Sequence, residues 1–228
     1  MKLAYPALNG AISFEENKIA VLVVESPILF RNMIIDLSRQ VAGGSGDFVL
    51  SKDSVPIPIN KEVELIQNPL FPNFEQRRII NKLISELERE ALSESFFLDT
   101  RAIQTELAAY LENLLAQSNA PLVCDSEISI SSLLKAANIR IDYDEESPVE
   151  RLCEYLDVIS ALHLAKCFVF VSLKSFLTQD ELRLLYSSVA YKKYNLLLLE
   201  NSMRDGLREV EKTILLDKDL CEVINEYK

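Results

Sequence analysis

Three short runs of apolar residues constrain the fold of this chain more than any other feature of the sequence. They are I-A-V-L-V-V at 19–24, C-F-V-F-V at 167–171 and L-L-L-L at 196–199. Runs without alternating polar residues are typical of strands that are buried on both faces of a sheet. The last two runs are separated by a helical segment that begins at the capping box T-Q-D-E at 178–181. The sequence therefore predicts a mostly parallel sheet that is covered by helices on both faces.

The junction after the first strand has no phosphate-binding loop. Ser26 and Pro27 are predicted to begin a helix directly, and the phosphate-loop motif G-x-x-x-x-G-K-[ST] is absent from the chain. Glu25 stands where backbone N–H groups would hold a phosphate. The third apolar run, at 196–199, is followed by Glu200, in the pattern of the strand and acid that hold Mg²⁺ in phosphate-loop NTPases. One hypothesis left open is therefore a divergent NTPase that uses Glu200.

The middle of the chain differs from the rest in composition and in the spacing of its apolar residues. Residues 75–117 contain no glycine or proline, and apolar residues recur there at helical spacing, which predicts two long helices joined by a corner at 93–99. Their apolar stripes are expected to pack on each other, or in part on another copy of the chain. A short helix at 129–137, a strand at 139–141 and a capping box at Ser147 are predicted next. The predicted domains are an α/β head formed by residues 1–68 and 156–228, and an inserted α-helical leg of residues 69–155.

Composition limits the classes of function. The 228 residues carry a formal net charge of −11, which argues against a simple nucleic-acid binder unless the basic residues are segregated into one patch. With His163 as the only histidine, most triad and histidine–metal mechanisms lose their usual base. The four cysteines are far apart, and no signal peptide or membrane span is evident, so we expect reduced thiols and a cytoplasmic location.

Charged residues of both signs crowd the mixed segment at 120–148 and the start of the helix predicted after it. A group of carboxylates could bind Ca²⁺, which takes several oxygen ligands in flexible geometry, or could simply form a solvated acidic loop. The acids considered are Asp125, Glu127, Asp142, Asp144, Glu145 and Glu146, and the nearby basic residues are Lys135, Arg140 and Arg151. The residues alone do not reach a function.

Six segments in the second half of the chain form a recognisable pattern. Three of them are V-F-V-S-L-K-S-F-L-T-Q-D-E-L at 169–182, N-L-L-L-L-E at 195–200 and I-L-L-D-K-D at 214–219. The other three are S-L-L-K at 132–135, I-R-I-D at 139–142 and E-R-L-C-E at 150–154. With these segments the chain resembles the accessory proteins of type II-A CRISPR adaptation, the Csn2 family. The resemblance implies an α/β head similar to a phosphate-loop NTPase core without its nucleotide motifs, together with a helical leg. It also implies a non-catalytic homotetrameric ring that binds Ca²⁺ and holds linear double-stranded DNA, alongside the integrase complex and the RNA-guided nuclease.

The resemblance assigns candidate residues to both ligands. Lys135, Arg140 and Arg151 match basic positions of the family and are predicted to contact DNA phosphates. Lys174 is added as a further phosphate contact without support from the family pattern. For Ca²⁺, Glu127 and Asp142 match, whereas Asp125 and Asp144 are possible substitutes. The alternatives are an oligomeric scaffold that does not bind DNA, and the divergent NTPase.

Overall fold

The computed structural model describes residues 1–125, 128–142, 147–207 and 209–225. The chain divides into two compact units, Met1–Pro72 with Tyr143–Lys228 (unit 1) and Asn73–Asp142 (unit 2). The predicted boundary at 155/156 falls inside a helix, Pro148–Ala161, that this division places in unit 1. The reason is packing, since Leu152 and Tyr155 of that helix are buried, and the Tyr155 hydroxyl donates a hydrogen bond to Glu64 of unit 1.

Ten strands and seven α-helices lie in the described parts of the chain. The strands are β1 (Lys2–Ala4), β2 (Ile12–Ser13), β3 (Ile19–Val24), β4 (Val49–Lys52), β5 (Val55–Ile57), β6 (Val63–Ile66), β7 (Cys167–Val171), β8 (Asn195–Glu200), β9 (Glu211–Leu216) and β10 (Glu222–Asn225). The helices are α1 (Pro27–Val41), α2 (Ile59–Glu62), α3 (Arg77–Ala91), α4 (Phe97–Leu115), α5 (Ile130–Ala136), α6 (Pro148–Ala161) and α7 (Gln179–Lys192), and a 3-10 turn spans Leu173–Ser175.

A six-stranded sheet organises unit 1. Its strand order is β10-β9-β3-β8-β7-β6, and every neighbouring pair is parallel except β9 with β10. The three apolar runs form β3, β7 and β8 at its centre, as the sequence predicts, and each is almost completely buried. The predicted mixed α/β fold with a mostly parallel sheet is confirmed. The further prediction that this sheet resembles a phosphate-loop NTPase core stays a prediction.

One face of the six-stranded sheet packs against α1 and a small antiparallel sheet. The small sheet has the order β2-β1-β4-β5. Leu22 of β3, Leu199 of β8, Met33 of α1 and Leu50 of β4 belong to one buried cluster. Helix α1 begins as predicted, because Pro27 occupies the first turn and the Ser26 hydroxyl accepts a hydrogen bond from the N–H of Leu29.

Helices α6 and α7 cover the opposite face of the six-stranded sheet. Successive side chains of a strand alternate between the two faces. Leu197 and Leu199 face α1, so Leu196, Leu198 and Glu200 face α6 and α7. Helix α7 begins at the predicted capping box, in which the side chains of Thr178 and Glu181 each bond the other's backbone N–H.

Unit 2 contains α3, α4 and α5. The Thr100 hydroxyl near the start of α4 donates a hydrogen bond to the carbonyl of Ala91 at the end of α3, which fixes the corner between the two helices. Helix α3 packs mainly against α5 rather than along α4, so the expected mutual packing of the two long helices is only partly correct. The strand predicted at 139–141 is absent, because these residues have no strand partner among the described residues. The capping box predicted at Ser147 also lacks its side-chain hydrogen bond.

None of the helices in the described ranges combines the length and the apolar character that crossing a membrane requires.

Candidate functional site

Three buried glutamates lie on the face of the six-stranded sheet that α6 and α7 cover. They are Glu64 of β6, Glu200 of β8 and Glu211 of β9, with exposed fractions of 2%, 0% and 7%. A buried carboxylate is costly unless it is paired, hydrogen-bonded or protonated. Glu64 accepts the hydrogen bond from the Tyr155 hydroxyl over 2.6 Å. The other two glutamates share a different set of partners.

Glu211 forms a buried ion pair with Lys174. The Lys174 ammonium lies 2.7 Å from Glu211 Oε2, and the two side chains are only 4% and 5% exposed. Glu211 Oε1 accepts a second hydrogen bond, from the hydroxyl of Tyr186 on α7, over 2.8 Å. Burial and the neighbouring Glu211 carboxylate both raise the pKa of Tyr186, so this phenol stays protonated and remains a donor.

Gly206, in the connection between β8 and β9, lies directly against the ion pair. A Cβ atom at Gly206 would lie 2.1 Å from Glu211 Oε2 and 2.6 Å from the Lys174 ammonium. The Gln179 side chain at the start of α7 donates a hydrogen bond to the carbonyl of Asp205, which holds the neighbouring backbone in place. The glycine is therefore required by close approach to a charged pair.

Glu200 lies beside this pair and is only half satisfied. Its Oε1 atom accepts a hydrogen bond from the backbone N–H of Lys174 over 3.0 Å. Its Oε2 atom is buried and has no hydrogen-bond partner. Burial raises the pKa of Glu200, although the Lys174 N–H and the charges of Lys174 and Arg204 act in the opposite direction. One ammonium faces two carboxyl groups, and the three groups are electrically neutral when Glu200 keeps its proton.

The buried environments of Lys174 and Glu200 do not suit the roles that the sequence predicts for these two residues. The ammonium of Lys174 is buried and paired, which speaks against the phosphate contact that we predicted for it. Glu200 is enclosed, which speaks against its use as an accessible metal ligand in a divergent NTPase. At the neighbouring strand end, the Glu25 N–H donates to the carbonyl of Leu216, so the junction between β3 and α1 continues the hydrogen bonding of the sheet.

The remaining predicted DNA contacts lie in two different units. Lys135 is in the last turn of α5 and Arg140 follows that helix, and both are exposed residues of unit 2. Arg151 is in the first turns of α6 in unit 1 and is partly buried. The structure thus brings Lys135 and Arg140 into one unit and places Arg151 in the other.

The predicted Ca²⁺ ligands are only partly within the described residues. Asp125 and Asp142 are exposed, whereas Glu127 and Asp144 lie outside the described residues. In the described ranges, no group of three or more histidine, cysteine, aspartate or glutamate side chains could hold a metal ion. Two exposed carboxylates supply fewer oxygens than the six to eight that Ca²⁺ takes. The Ca²⁺ site stays a prediction.

Sequence reasoning missed Glu211 and Tyr186. Glu211 begins an E-K-T-I-L-L strand, and Tyr186 lies in the middle of an amphipathic helix, so neither has a distinctive local motif. The one available signal was an acid next to a buried strand, and its partner, Lys174, is 37 residues away.

Comparisons with known proteins bear on the identity of the chain. The solved structures with similarity include an ABC transporter described as of the metal-chelate type, in an inward-facing conformation, with 13% identity, a TM-score of 0.42, and coverage of 96% of this chain and 75% of the transporter chain. A bacterial Atm1-family ABC exporter with ATP bound has 11% identity, a TM-score of 0.39, and coverage of 88% and 32%. Similarities this distant carry no inference about fold or function.

A family model gives the informative match. None of the curated proteins matches the chain. The model of the CRISPR-associated protein family Cas_Csn2 matches residues 40–220, which is most of the chain and includes the segments in which the sequence resembles that family. This chain therefore belongs to the Cas_Csn2 family of CRISPR-associated proteins.

Proposed function

We propose that this protein binds the ends of linear double-stranded DNA without sequence specificity, as a Ca²⁺-dependent homotetrameric ring that supports the acquisition of CRISPR spacers. Membership of the Cas_Csn2 family carries the proposal, because it supports a role in CRISPR adaptation. The integrase complex and the RNA-guided nuclease are the protein partners that we propose with it.

Two exposed cations of unit 2 support a phosphate-binding surface. Some lysines of unit 1 are neutralised by carboxylates at short distance, such as Lys193 by Glu16 at 2.7 Å and Lys212 by Glu15 at 3.0 Å. Lys135 and Arg140 are exposed and form no ion pair with any described residue. Exposed cations of this kind are suited to contact phosphates.

Binding through phosphates predicts how the affinity for DNA depends on salt and on base sequence. Each phosphate contact releases counterions from the duplex, so affinity falls with salt and does not depend on base sequence. Ca²⁺ would neutralise the carboxylates near these cations, with Asp125, Glu127, Asp142 and Asp144 as its proposed ligands. This explains physically how an acidic chain could hold a polyanion.

A non-catalytic role is part of the proposal. The sequence lacks the phosphate loop, and the carboxyl group of Glu200 is enclosed beside an internal ammonium. Both features support a sheet that serves as a scaffold. ATP turnover above background that Glu200→Gln abolishes would contradict this part.

A gel-shift experiment tests DNA binding. Linear duplex and covalently closed circular duplex of equal length are titrated with the protein, with Ca²⁺ and with chelator. We expect binding of the linear duplex in Ca²⁺ and its loss in chelator. The double variant Lys135→Glu with Arg140→Glu should weaken binding and reduce its salt dependence. Lys52→Glu with Lys61→Glu, two exposed changes in unit 1, is the matched control and should bind as the wild type does. Failure to bind either duplex refutes the proposal.

An oligomeric scaffold without DNA binding is the second candidate. Its support is the set of exposed apolar side chains on α4, including Ile103 at 57% and Tyr110 at 61%. Scattered exposed apolar residues are normal, but aligned ones often mark protein contacts. The scaffold hypothesis predicts an assembly whose mass does not change when chelator is added or when the charges of Lys135 and Arg140 are reversed.

A further inference from the structure

The outer face of α1 carries cations and apolar side chains, and its nearest acid lies at the border. The exposed positions that share this face are Ile28, Arg31, Asn32, Ile35 and Arg39, whereas Asp36 beside them is partly buried and accepts a hydrogen bond from the backbone N–H of Asp47. At about 100° per residue they fall on one side of the helix, opposite the buried Met33 and Leu37. The isoleucines are 64% and 49% exposed.

One exposed face of α4 carries the complementary set. Asp99, Ile103, Glu106 and Tyr110 follow one another at intervals of three or four residues and therefore share one side of the helix. All four are exposed. This stripe contains carboxylates where α1 has guanidinium groups.

The two stripes match in register when the helices run antiparallel. From Ile28, the stripe of α1 advances by three, seven and eleven residues, whereas from Tyr110 the stripe of α4 runs back by four, seven and eleven. With a rise of about 1.5 Å per residue, Ile28 then lies level with Tyr110, Ile35 with Ile103 and Arg39 with Asp99. Arg31 and Glu106 differ in height by about 1.5 Å.

The parallel arrangement matches at fewer levels. With Ile28 level with Ile103, Arg31 lies level with Glu106 and Ile35 with Tyr110, but Arg39 then faces the apolar Leu114. The antiparallel alignment places apolar groups against apolar groups and cations against anions at all four levels. Alternating apolar and ion-pair levels of this kind specify partner and direction in helix packing.

We propose that α1 of one copy packs antiparallel against α4 of a second copy. Both faces are exposed in the single chain, and each supplies the charge that the other lacks, so a second copy of the same chain is the occupant that the sequence matches. This contact rests on the proposed oligomer and identifies one of its interfaces.

Complementary charge reversals test the contact. One variant reverses the α1 face, with Arg31→Glu and Arg39→Asp, and the other reverses the α4 face, with Asp99→Arg and Glu106→Arg. Each is measured alone and in an equimolar mixture by light scattering in Ca²⁺, against a chain mass of 25.9 kDa. Each variant alone places like charges in contact and should lose at least about half of the wild-type mass. In the mixture every contact is again between opposite charges, so the wild-type mass should return.

The controls separate the possible results. Glu112→Arg reverses an exposed charge of α4 away from the stripe, and Lys52→Glu does so in unit 1, and both should keep the wild-type mass. Circular dichroism verifies folding, and the milder pair Arg31→Gln with Arg39→Gln should weaken assembly if the reversals unfold the chain.

Three results overturn the contact. Wild-type mass in both reversed variants refutes this interface and leaves the proposed ring standing. Recovery in a single chain carrying all four reversals, without recovery in the mixture, assigns the contact to one chain and refutes a contact between copies. A wild-type monomer in Ca²⁺ refutes both this contact and the proposed ring.

Discussion

Removal of the Lys174 ammonium tests the role of the buried ion pair in unit 1. Lys174→Met keeps an apolar stem of similar length but leaves Glu211 with only the Tyr186 hydroxyl as a partner. Because both side chains of the pair are about 95% buried, almost no water can replace the lost ammonium. Breaking a buried pair from one side typically costs about 3–5 kcal/mol. For a chain of this size, this cost lowers Tm by about 6–20 °C.

The double variant separates the pair from the two single side chains. Glu211→Gln combined with Lys174→Met removes both charges while the amide oxygen can still accept the Tyr186 hydrogen bond. We expect the double variant to be more stable than Lys174→Met alone, with a coupling energy of about 2 kcal/mol or more. Differential scanning calorimetry at one protein concentration and pH 7 measures all four proteins.

An exposed pair of the same length provides the matched control. Lys193 and Glu16 are also 2.7 Å apart, but their side chains are 72% and 64% exposed. The same cycle there should give no measurable coupling, because solvent screens the charges and the side chains lose entropy on pairing. Equal coupling at the two pairs, or no stability loss in Lys174→Met, would refute the reasoning that burial sets the strength of this interaction.

Three further changes test other parts of unit 1. Burial raises the pKa of Glu200 above its ordinary value of 4.5, so its contribution to stability is fully present below pH 4.5 and is lost as pH rises through the folded pKa. Glu200→Gln, a mimic of the protonated acid, should therefore match the wild-type Tm near pH 4 and exceed it as pH rises through the folded pKa, whereas exposed Glu94→Gln should show no such trend. Gly206→Ala should destabilise the protein by about 1–3 kcal/mol because its Cβ collides with the ion pair, while Gly10→Ala, which meets nothing within 4 Å, should be nearly neutral by thermal melting. Thr178→Ala should cost about 1 kcal/mol in urea unfolding and Thr178→Ser much less, and equal losses would contradict the capping role.

Elements with strong local signals were predictable. The start of α1 at Ser26 and Pro27 depends on a cap and a proline that act within one turn, and the capping box of α7 acts over four residues. Strands β3 and β7 are apolar along their whole length and β8 is apolar from Leu196 to Leu199, so their burial follows from the sequence whatever their partners are. The strand predicted for the short segment 139–141 is wrong, because alternation over three residues does not provide a partner strand.

The candidate site was predictable only in part. Glu200 was recognisable as an acid that ends a buried strand. Its environment was not, since the partners of the buried charges come from four separate segments: the turn after β7, helix α7, the connection after β8 and the first residue of β9. Likewise, exposed Lys135 and buried Lys174 are both single lysines near a helix or a turn, and sequence alone treats them alike.

The sequence by itself determined the class of the chain: apolar strands joined by a capped helix, no phosphate loop, and the segments that resemble its family. These properties depend on interactions between residues close together in the chain. The tertiary structure decided which charges are neutralised. Parallel strand order places Glu200 and Glu211 on one face, with β3 between their strands, and α7 covers that face. The energy of a buried charge depends on its distance from other charges and on its distance from water. Neither distance can be known before the strands are ordered.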